Sequence, residues 1–282
     1  MRFATVLVDH SPVIVAHSGD GEPRILEGFG TMLDVIRAER SALDAAYQAG
    51  MPLDMAGLRF LAPIPQPGKI IAIGRNYMDH CREQNEEPPA KPLIFAKLPS
   101  SVIGPGAVIQ WDPADTAQVD YEAELAVVIG RETRLVSAES ALGYVFGYTI
   151  ANDVTARDLQ KGDGQWTRAK GMDTFCPLGP WLVSADEIPD PQALAIRCEV
   201  NGEVRQDSNT REMIFDVQTL IAYASRAFTL YPGDILLTGT PAGVGQFRQP
   251  PALLQDGDTV AIEIEGLGRL ENRCRTLTFR AR

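Results

Sequence analysis

The chain has 282 residues, about twice a typical ~150-residue domain, so one large domain or a small domain joined to a larger one are the leading organisations. A chain this long buries roughly 75% of the surface it exposes when unfolded, so it needs no disulfides to make up for a thin core. Lys and Arg number 26 against 37 Asp and Glu, a formal net charge of −11 that repels nucleic-acid phosphates and anionic lipid and argues against both as partners.

Cys81, Cys176, Cys198 and Cys274 are scattered, with no C-x-x-C pair and no zinc-like cluster, so neither a disulfide framework nor a zinc ribbon is indicated. A reducing compartment is expected. The stretch from Met1 to His10 meets Asp9 before any long apolar run develops, and runs such as Leu125 to Ile129 fall far short of the ~20 residues a membrane helix needs. These features predict a soluble cytoplasmic protein.

In chain order, residues 1–68 read as a small N-terminal α/β lobe. It has a strand-like start, then Thr31-Met32-Leu33-Asp34, which resembles a capping box opening a helix that runs into the forties. Pro63-Ile64-Pro65-Gln66-Pro67-Gly68 holds too many breakers for a helix or a central strand and reads as a linker. A main domain over 69–282 follows. Short β-branched runs recur in it: Ile70 to Ile73, Leu125 to Ile129, Tyr148 to Ile150, Ala195 to Val200, Asp234 to Leu237 and Val260 to Ile264. One helix interrupts them, with Val217, Leu220, Ile221, Ala224 and Phe228 on a single apolar stripe. The expected fold class is α+β and strand-rich.

No nucleophile elbow, phosphate loop or dinucleotide fingerprint is present. Only His80 of the three histidines lies in the strand-rich part, so any metal site there is built mainly from carboxylates. Asp120-Tyr121-Glu122-Ala123-Glu124 runs straight into the apolar stretch Leu125 to Ile129, and on a strand Glu122 and Glu124 share a face. Two acids entering a buried strand repel and lose hydration unless a cation neutralises them, although acidic pairs on a solvated strand face are common. Asp153 ends another apolar run, Gly147 to Asn152. With the two glutamates it would give three hard oxygen ligands suited to Mg2+ or Mn2+, while alone it reads equally well as a capping acid.

His80 and Glu83 lie three apart, so on a helix Glu83 can hold the imidazole in one tautomer. Such a pair is a candidate general base or an ordinary surface contact. Arg157, Gln160 and Lys170 supply donors suited to a carboxylate or a developing oxyanion. Thr238-Gly239-Thr240-Pro241-Ala242-Gly243-Val244-Gly245 either binds an anion through backbone N–H groups or simply reverses the chain.

Together these segments resemble the fumarylacetoacetate hydrolase family. The resemblance runs in order from about Lys69 to Leu277, through Gly74-Arg75-Asn76-Tyr77, His80 to Glu83, Phe95-Ala96-Lys97, Glu122-Ala123-Glu124, Asn152 to Asp158, Ala169-Lys170 and Thr238-Gly239-Thr240-Pro241. It implies a mixed β-roll catalytic domain, a homodimer, and an enzyme that cleaves or rearranges carbon–carbon bonds in small 2-oxo acids using Mg2+ or Mn2+. Residue by residue, it implies Glu122, Glu124 and Asp153 as metal ligands. Arg75, Tyr77, Arg157 and Thr240 become substrate contacts, Lys170 and Gln160 oxyanion donors, and His80 with Glu83 a water-activating dyad. Leu98 stands where some members carry proline, and Pro99 follows it. The expected reaction is hydrolysis of an acylpyruvate-type 2,4-dioxo acid to pyruvate and a carboxylic acid. Oxaloacetate decarboxylation and dienedioate isomerisation are the alternatives on the same site. An idle metal-binding protein is the alternative from another class, and the intact acids and H-x-x-E pair count against it.

Overall fold

A computed structural model describes residues 1–278. It opens with β1 (Arg2–Val8), β2 (Ser11–His17), β3 (Arg24–Ile25), α1 (Met32–Arg37), α2 (Arg40–Ala49) and β4 (Arg59–Leu61). Next come β5 (Ile70–Gly74), α3 (Met78–Gln84), β6 (Leu93–Lys97), β7 (Val102–Ile103), β8 (Val108–Trp111), β9 (Val119–Asp120) and β10 (Ala123–Ile129). These lead to α4 (Ala138–Ala141), β11 (Val145–Asn152), β12 (Thr155–Ala156), α5 (Arg157–Asp163), α6 (Thr167–Gly171) and β13 (Cys176–Ser184). The last elements are β14 (Ala195–Val200), β15 (Glu203–Asn209), α7 (Val217–Ala227), β16 (Ile235–Leu237), β17 (Thr259–Ile264) and β18 (Gly268–Thr276). The fold is α+β and strand-rich.

The largest sheet has eleven strands, ordered β3-β2-β1-β13-β11-β10-β16-β5-β6, with β4 beside β1 and β7 beside β13. A second sheet of five runs β15-β14-β17-β18-β8. Parallel pairs such as β16 with β5 and β18 with β8 make both sheets mixed. Each predicted strand run lies on one of these strands, save that Asp234 stands just before β16.

All seven residues of β10 are buried, which is why its sequence is a continuous apolar run rather than an alternating one. Leu125, Val127 and Ile129 face one core cluster, shared with Ile196 and Ile262 of the five-stranded sheet. Ala126 and Val128 face a second cluster, shared with Phe3, Ile14 and Val35 of the N-terminal segment. Glu124 has the parity of the second set.

The stripe of α7 packs as expected, with Val217, Leu220, Ile221 and Ala224 buried. Asp216 caps the helix, accepting from the Thr219 N–H at 2.8 Å. Phe228, the last member of the predicted stripe, instead forms the extended C-cap and is 41% exposed. The capping box at Thr31 and Asp34 is present, but the helix it opens ends at Arg37. Ala38 and Glu39 are extended, and α2 starts afresh, turning Leu43 and Tyr47 inward. No glycine or proline marks that break, so local propensity gave no warning of it. The N-terminal segment joins the large sheet where β1 pairs with β13, and residues 62–69 carry no helix or strand.

All four cysteines are free and buried, and burial pushes the Cys176 and Cys274 thiols up to about 12. Such thiols are inert near neutrality. Among the described residues no helix is long and apolar enough to cross a membrane.

Candidate active site

Antiparallel pairing of β10 with β11 sets Glu124 opposite Ala151 and Ala123 opposite Asn152, which brings the end of β11 to the start of β10. Glu122 lies just before β10 and is not part of it. Its backbone carbonyl accepts from the Asp153 N–H at 2.9 Å. The register thus gathers one carboxylate oxygen from each of Glu122, Glu124 and Asp153 within 4.8 Å of one another, all three residues buried.

Two lysines and an arginine hold this floor. Lys170 Nζ donates to Glu122 Oε2 at 2.9 Å, Asp153 Oδ2 at 2.7 Å and Thr155 Oγ1 at 2.8 Å. Lys97 Nζ lies 2.6 Å from Asp153 Oδ1 and also donates to the Lys170 carbonyl. Arg157 Nη1 lies 2.7 Å from Glu122 Oε1, and its Nε lies 2.8 Å from Asp120 Oδ2. Burial pushes the Glu122 carboxyl up, but Lys170 and Arg157 outweigh it and lower the group to about 2. Glu124 is different. Its Oε2 accepts the Gly239 N–H at 2.8 Å, and it forms no ion pair among the described residues. Burial, then the charges of Asp153 and Glu122, raise its carboxyl well above the ordinary range.

That imbalance tests the cluster for a divalent cation. Three hard oxygen donors converge, and one of them is a buried acid with no cationic partner. This is the donor chemistry that Mg2+ and Mn2+ take, and desolvated carboxylates are stable when they coordinate a metal. The residues fit such an ion.

The glycine-rich segment after β16 turns its backbone donors onto the protein's own acids. Besides Gly239 on Glu124, the Gly243 N–H meets Glu83 Oε1 at 2.9 Å and the Gly245 N–H meets Asp120 Oδ1 at 2.7 Å. Gly239 and Gly243 have φ of +95° and +104°. A Cβ on Gly243 would lie 2.1 Å from the Arg205 carbonyl, so both the conformation and the approach require glycine.

His80 lies in the first turn of α3 and Glu83 in the second, with His80 Nδ1 2.9 Å from Glu83 Oε2. The helix is seated by Asp79, whose carboxylate caps the His80 N–H at 2.7 Å and accepts from Ser208 Oγ at 2.6 Å. Phe247 packs edge-on against the imidazole, ring centroids 5.9 Å apart.

A cleft of about 440 Å3 joins these parts, walled by His80, Glu122, Arg157, Gln160, Lys170 and Thr240. Arg157, Gln160 and Lys161 share one face of α5. Arg157 Nη2 is buried with no hydrogen-bond partner, so it is a donor available to an anionic ligand. Gln160 Oε1 accepts from Arg157 Nη1 at 3.1 Å. Thr240 Oγ1 accepts from Gln206 Nε2 at 2.8 Å. Arg75, with a φ of +52°, also lines the cleft and pairs with Glu86 at 2.5 Å. Tyr77 does not reach it; this side chain is wholly buried near Glu124. Lys170 reaches the cleft, but all three of its N–H groups are engaged by Glu122, Asp153 and Thr155, so in this arrangement it positions carboxylates rather than donating to a ligand.

Sequence reasoning gave no role to Lys97, Asp120 or Gln206. Lys97 had a signal, a lysine closing an apolar strand. Asp120 had one too, standing two residues before Glu122. Gln206 had none: it bridges the Ala123 N–H to Thr240, contacts made far along the chain.

Comparison with known proteins agrees with this geometry. Residues 69–275 match the family model described as the fumarylacetoacetate (FAA) hydrolase C-terminal domain. Among curated relatives, the mitochondrial oxaloacetate tautomerase Fahd2a of Rattus norvegicus is 49% identical over 248 residues, 86% of this chain and 79% of that protein. Among solved structures, a fumarylacetoacetate hydrolase from the psychrophile Exiguobacterium antarcticum superposes with a TM-score of 0.89 at 40% identity, covering 98% of this chain and all of that one. A maleylpyruvate hydrolase from Sphingobium sp. SYK-6, in complex with manganese(II) and pyruvate, does so at 0.81 and 31% identity, covering 99% and 100%. The chain is an enzyme and belongs to the fumarylacetoacetate hydrolase family.

Proposed function

We propose that this enzyme acts on a small 2-oxo acid with a divalent cation, and that its leading reaction is the keto–enol interconversion of oxaloacetate. The observation that carries the reading is that His80 lines the same cleft as Glu122, one of the three converging carboxylates, which supports a proton carrier working beside a seat for a cation. The name of the 49%-identical relative supports oxaloacetate as the substrate.

Glu122, Glu124 and Asp153 would hold Mg2+ or Mn2+, with Lys97 and Lys170 fixing the carboxylates. The bound cation would supply a Lewis acid to the oxygens of the 2-oxo acid. Arg157 Nη2 takes a substrate carboxylate. Gln160, whose amide oxygen is turned to Arg157, presents its N–H groups to a substrate oxygen, and Thr240 borders the same space. His80 Nδ1 faces Glu83, so the tautomer with a hydrogen on Nδ1 leaves Nε2 free to take a proton from substrate carbon and return it to oxygen. This reaction breaks no carbon–carbon bond and consumes no water.

Hydrolysis of an acylpyruvate is the second reading, favoured by the same dyad, since an imidazole oriented by a carboxylate also deprotonates water. One experiment separates them. Chelator-stripped protein is given enol-oxaloacetate and acetylpyruvate in parallel, with and without Mg2+ or Mn2+, and enol, acetate and pyruvate are followed. Metal-dependent loss of the enol signal without acetate is the expected result. Acetate release makes the hydrolase reading primary, and pyruvate from oxaloacetate makes decarboxylation primary.

A further inference from the structure

Glu83 faces away from the space that His80 faces. The imidazole lines the catalytic cleft, whereas Glu83 lines a separate groove of about 520 Å3 with Glu203, Arg205, Arg248 and Ala252. The His80 side chain is 7% exposed and that of Glu83 17%, so the water that Glu83 meets is groove water. Two arginines share this groove with Glu83 and Glu203. Arg248 has no carboxylate partner among the described residues and donates to the Arg205 carbonyl at 2.9 Å. Arg205 pairs with Glu203 at 3.0 Å and leaves its Nε buried and unpartnered. On the cleft side, the Phe247 ring covers one side of the imidazole and shields it from water.

We propose that His80 and Glu83 form a two-ended proton relay, exchanging with substrate in the cleft and with water in this rear groove, which is the route by which the dyad resets. The inference rests on the reading that His80 moves a substrate proton. The C–H bond breaks, its electron pair stays with the substrate as the enolate, and the proton bonds to His80 Nε2. The proton on Nδ1 passes to Glu83 Oε2, and Glu83 releases it to groove water. To complete the tautomer, Nε2 gives its proton to the enolate oxygen while Glu83 takes a proton from groove water and hands one back to Nδ1. Oε1 stays anchored on the Gly243 N–H at 2.9 Å throughout.

The test is chemical rescue. Glu83→Ala removes the carboxylate and opens its seat to the groove, and should lower kcat for oxaloacetate tautomerisation about 10²-fold or more. Added formate should restore on the order of tenfold of that loss, raising kcat at unchanged KM, because it enters from the groove rather than the cleft. In the double variant Glu83→Ala/Ala252→Trp, whose groove is plugged, formate should restore nothing. Formate that competes with substrate, formate that rescues the plugged variant equally, or a native-like Glu83→Ala that formate does not rescue would each overturn the relay. If Glu83→Ala does not fold, Ala252→Trp alone is read, with Glu203→Trp as a second plug. A several-fold drop in kcat at unchanged KM is expected, and unchanged kcat overturns the proposal. Wild-type enzyme silent on both oxaloacetate and acetylpyruvate overturns the functional reading and the relay with it, an outcome distinct from an active enzyme with the wrong rescue pattern.

Discussion

The floor and the rim of the cleft are built in opposite ways. Glu122, Glu124 and Asp153 stand where two neighbouring strands of the large sheet meet, wholly or nearly buried, with Glu122 and Asp153 gripped by Lys97, Lys170 and Arg157. His80 and Glu83 ride on a seven-residue helix seated by Asp79, Ser208 and one backbone N–H. The floor sets positions for charge, and moving Glu122 or Asp153 leaves a buried cation short of a partner. The rim moves protons, and its few contacts let it be altered with little cost to the fold. Stability and activity should therefore separate between the two regions.

The largest effect should come at the floor. Asp153→Ala removes a ligand and the shared partner of two lysines, so it should abolish metal-dependent turnover, a loss on the order of 10³-fold or more. It should also lower the melting temperature. Calorimetric titration with Mn2+ gives the first readout and a thermal melt the second. Loss of activity with an unchanged melt would break the comparison. At the rim, His80→Ala should cost ~10²–10⁴-fold in tautomerisation or hydrolysis and much less in oxaloacetate decarboxylation, with an unchanged melt. Equal loss across these reactions would remove the proton-carrying role of the dyad. Lys97→Met tests the floor from below: leaving Asp153 short of a partner should destabilise the protein by about 3–5 kcal/mol in a urea titration. The smallest effect is Ser208→Ala, which removes one hydrogen bond to Asp79. It should cost about 1 kcal/mol at most while lowering kcat a few-fold through a looser α3, as steady-state kinetics would show.

Much of this plan was legible in the sequence, and the reasons are local ones. Leu125 to Ile129 reads as a strand because its branched and apolar side chains suit a surface buried on both faces. Glu122, Glu124 and Asp153 stood out because acids bordering such runs need a neutraliser. His80 and Glu83 are helical neighbours by spacing alone. The features that stayed hidden depend on distant pairings. Nothing near Arg2 or Val183 announces that β1 joins β13, and nothing near Ala38 announces the break before α2. Lys170 read as an oxyanion donor until its three partners were seen. Which of these reactions the site runs has no local signature either. The cleft wall is assembled from residues as far apart as Arg75, Trp166 and Phe247, and several 2-oxo acid reactions share one set of acids and bases.

The segment from Thr238 to Gly245 has a consequence for how this enzyme can diversify. Its three amide donors fix Glu124, Glu83 and Asp120 through main-chain atoms, so no side chain of the segment is needed to hold an acid in place. Thr240 borders the ligand space and can be exchanged to reshape it, whereas Val244 is wholly buried and Gly239 and Gly243 are held by their positive φ. The segment behaves as a fixed frame with one replaceable panel, and a library randomised at Thr240 should change substrate preference before it disturbs the spacing of the acids.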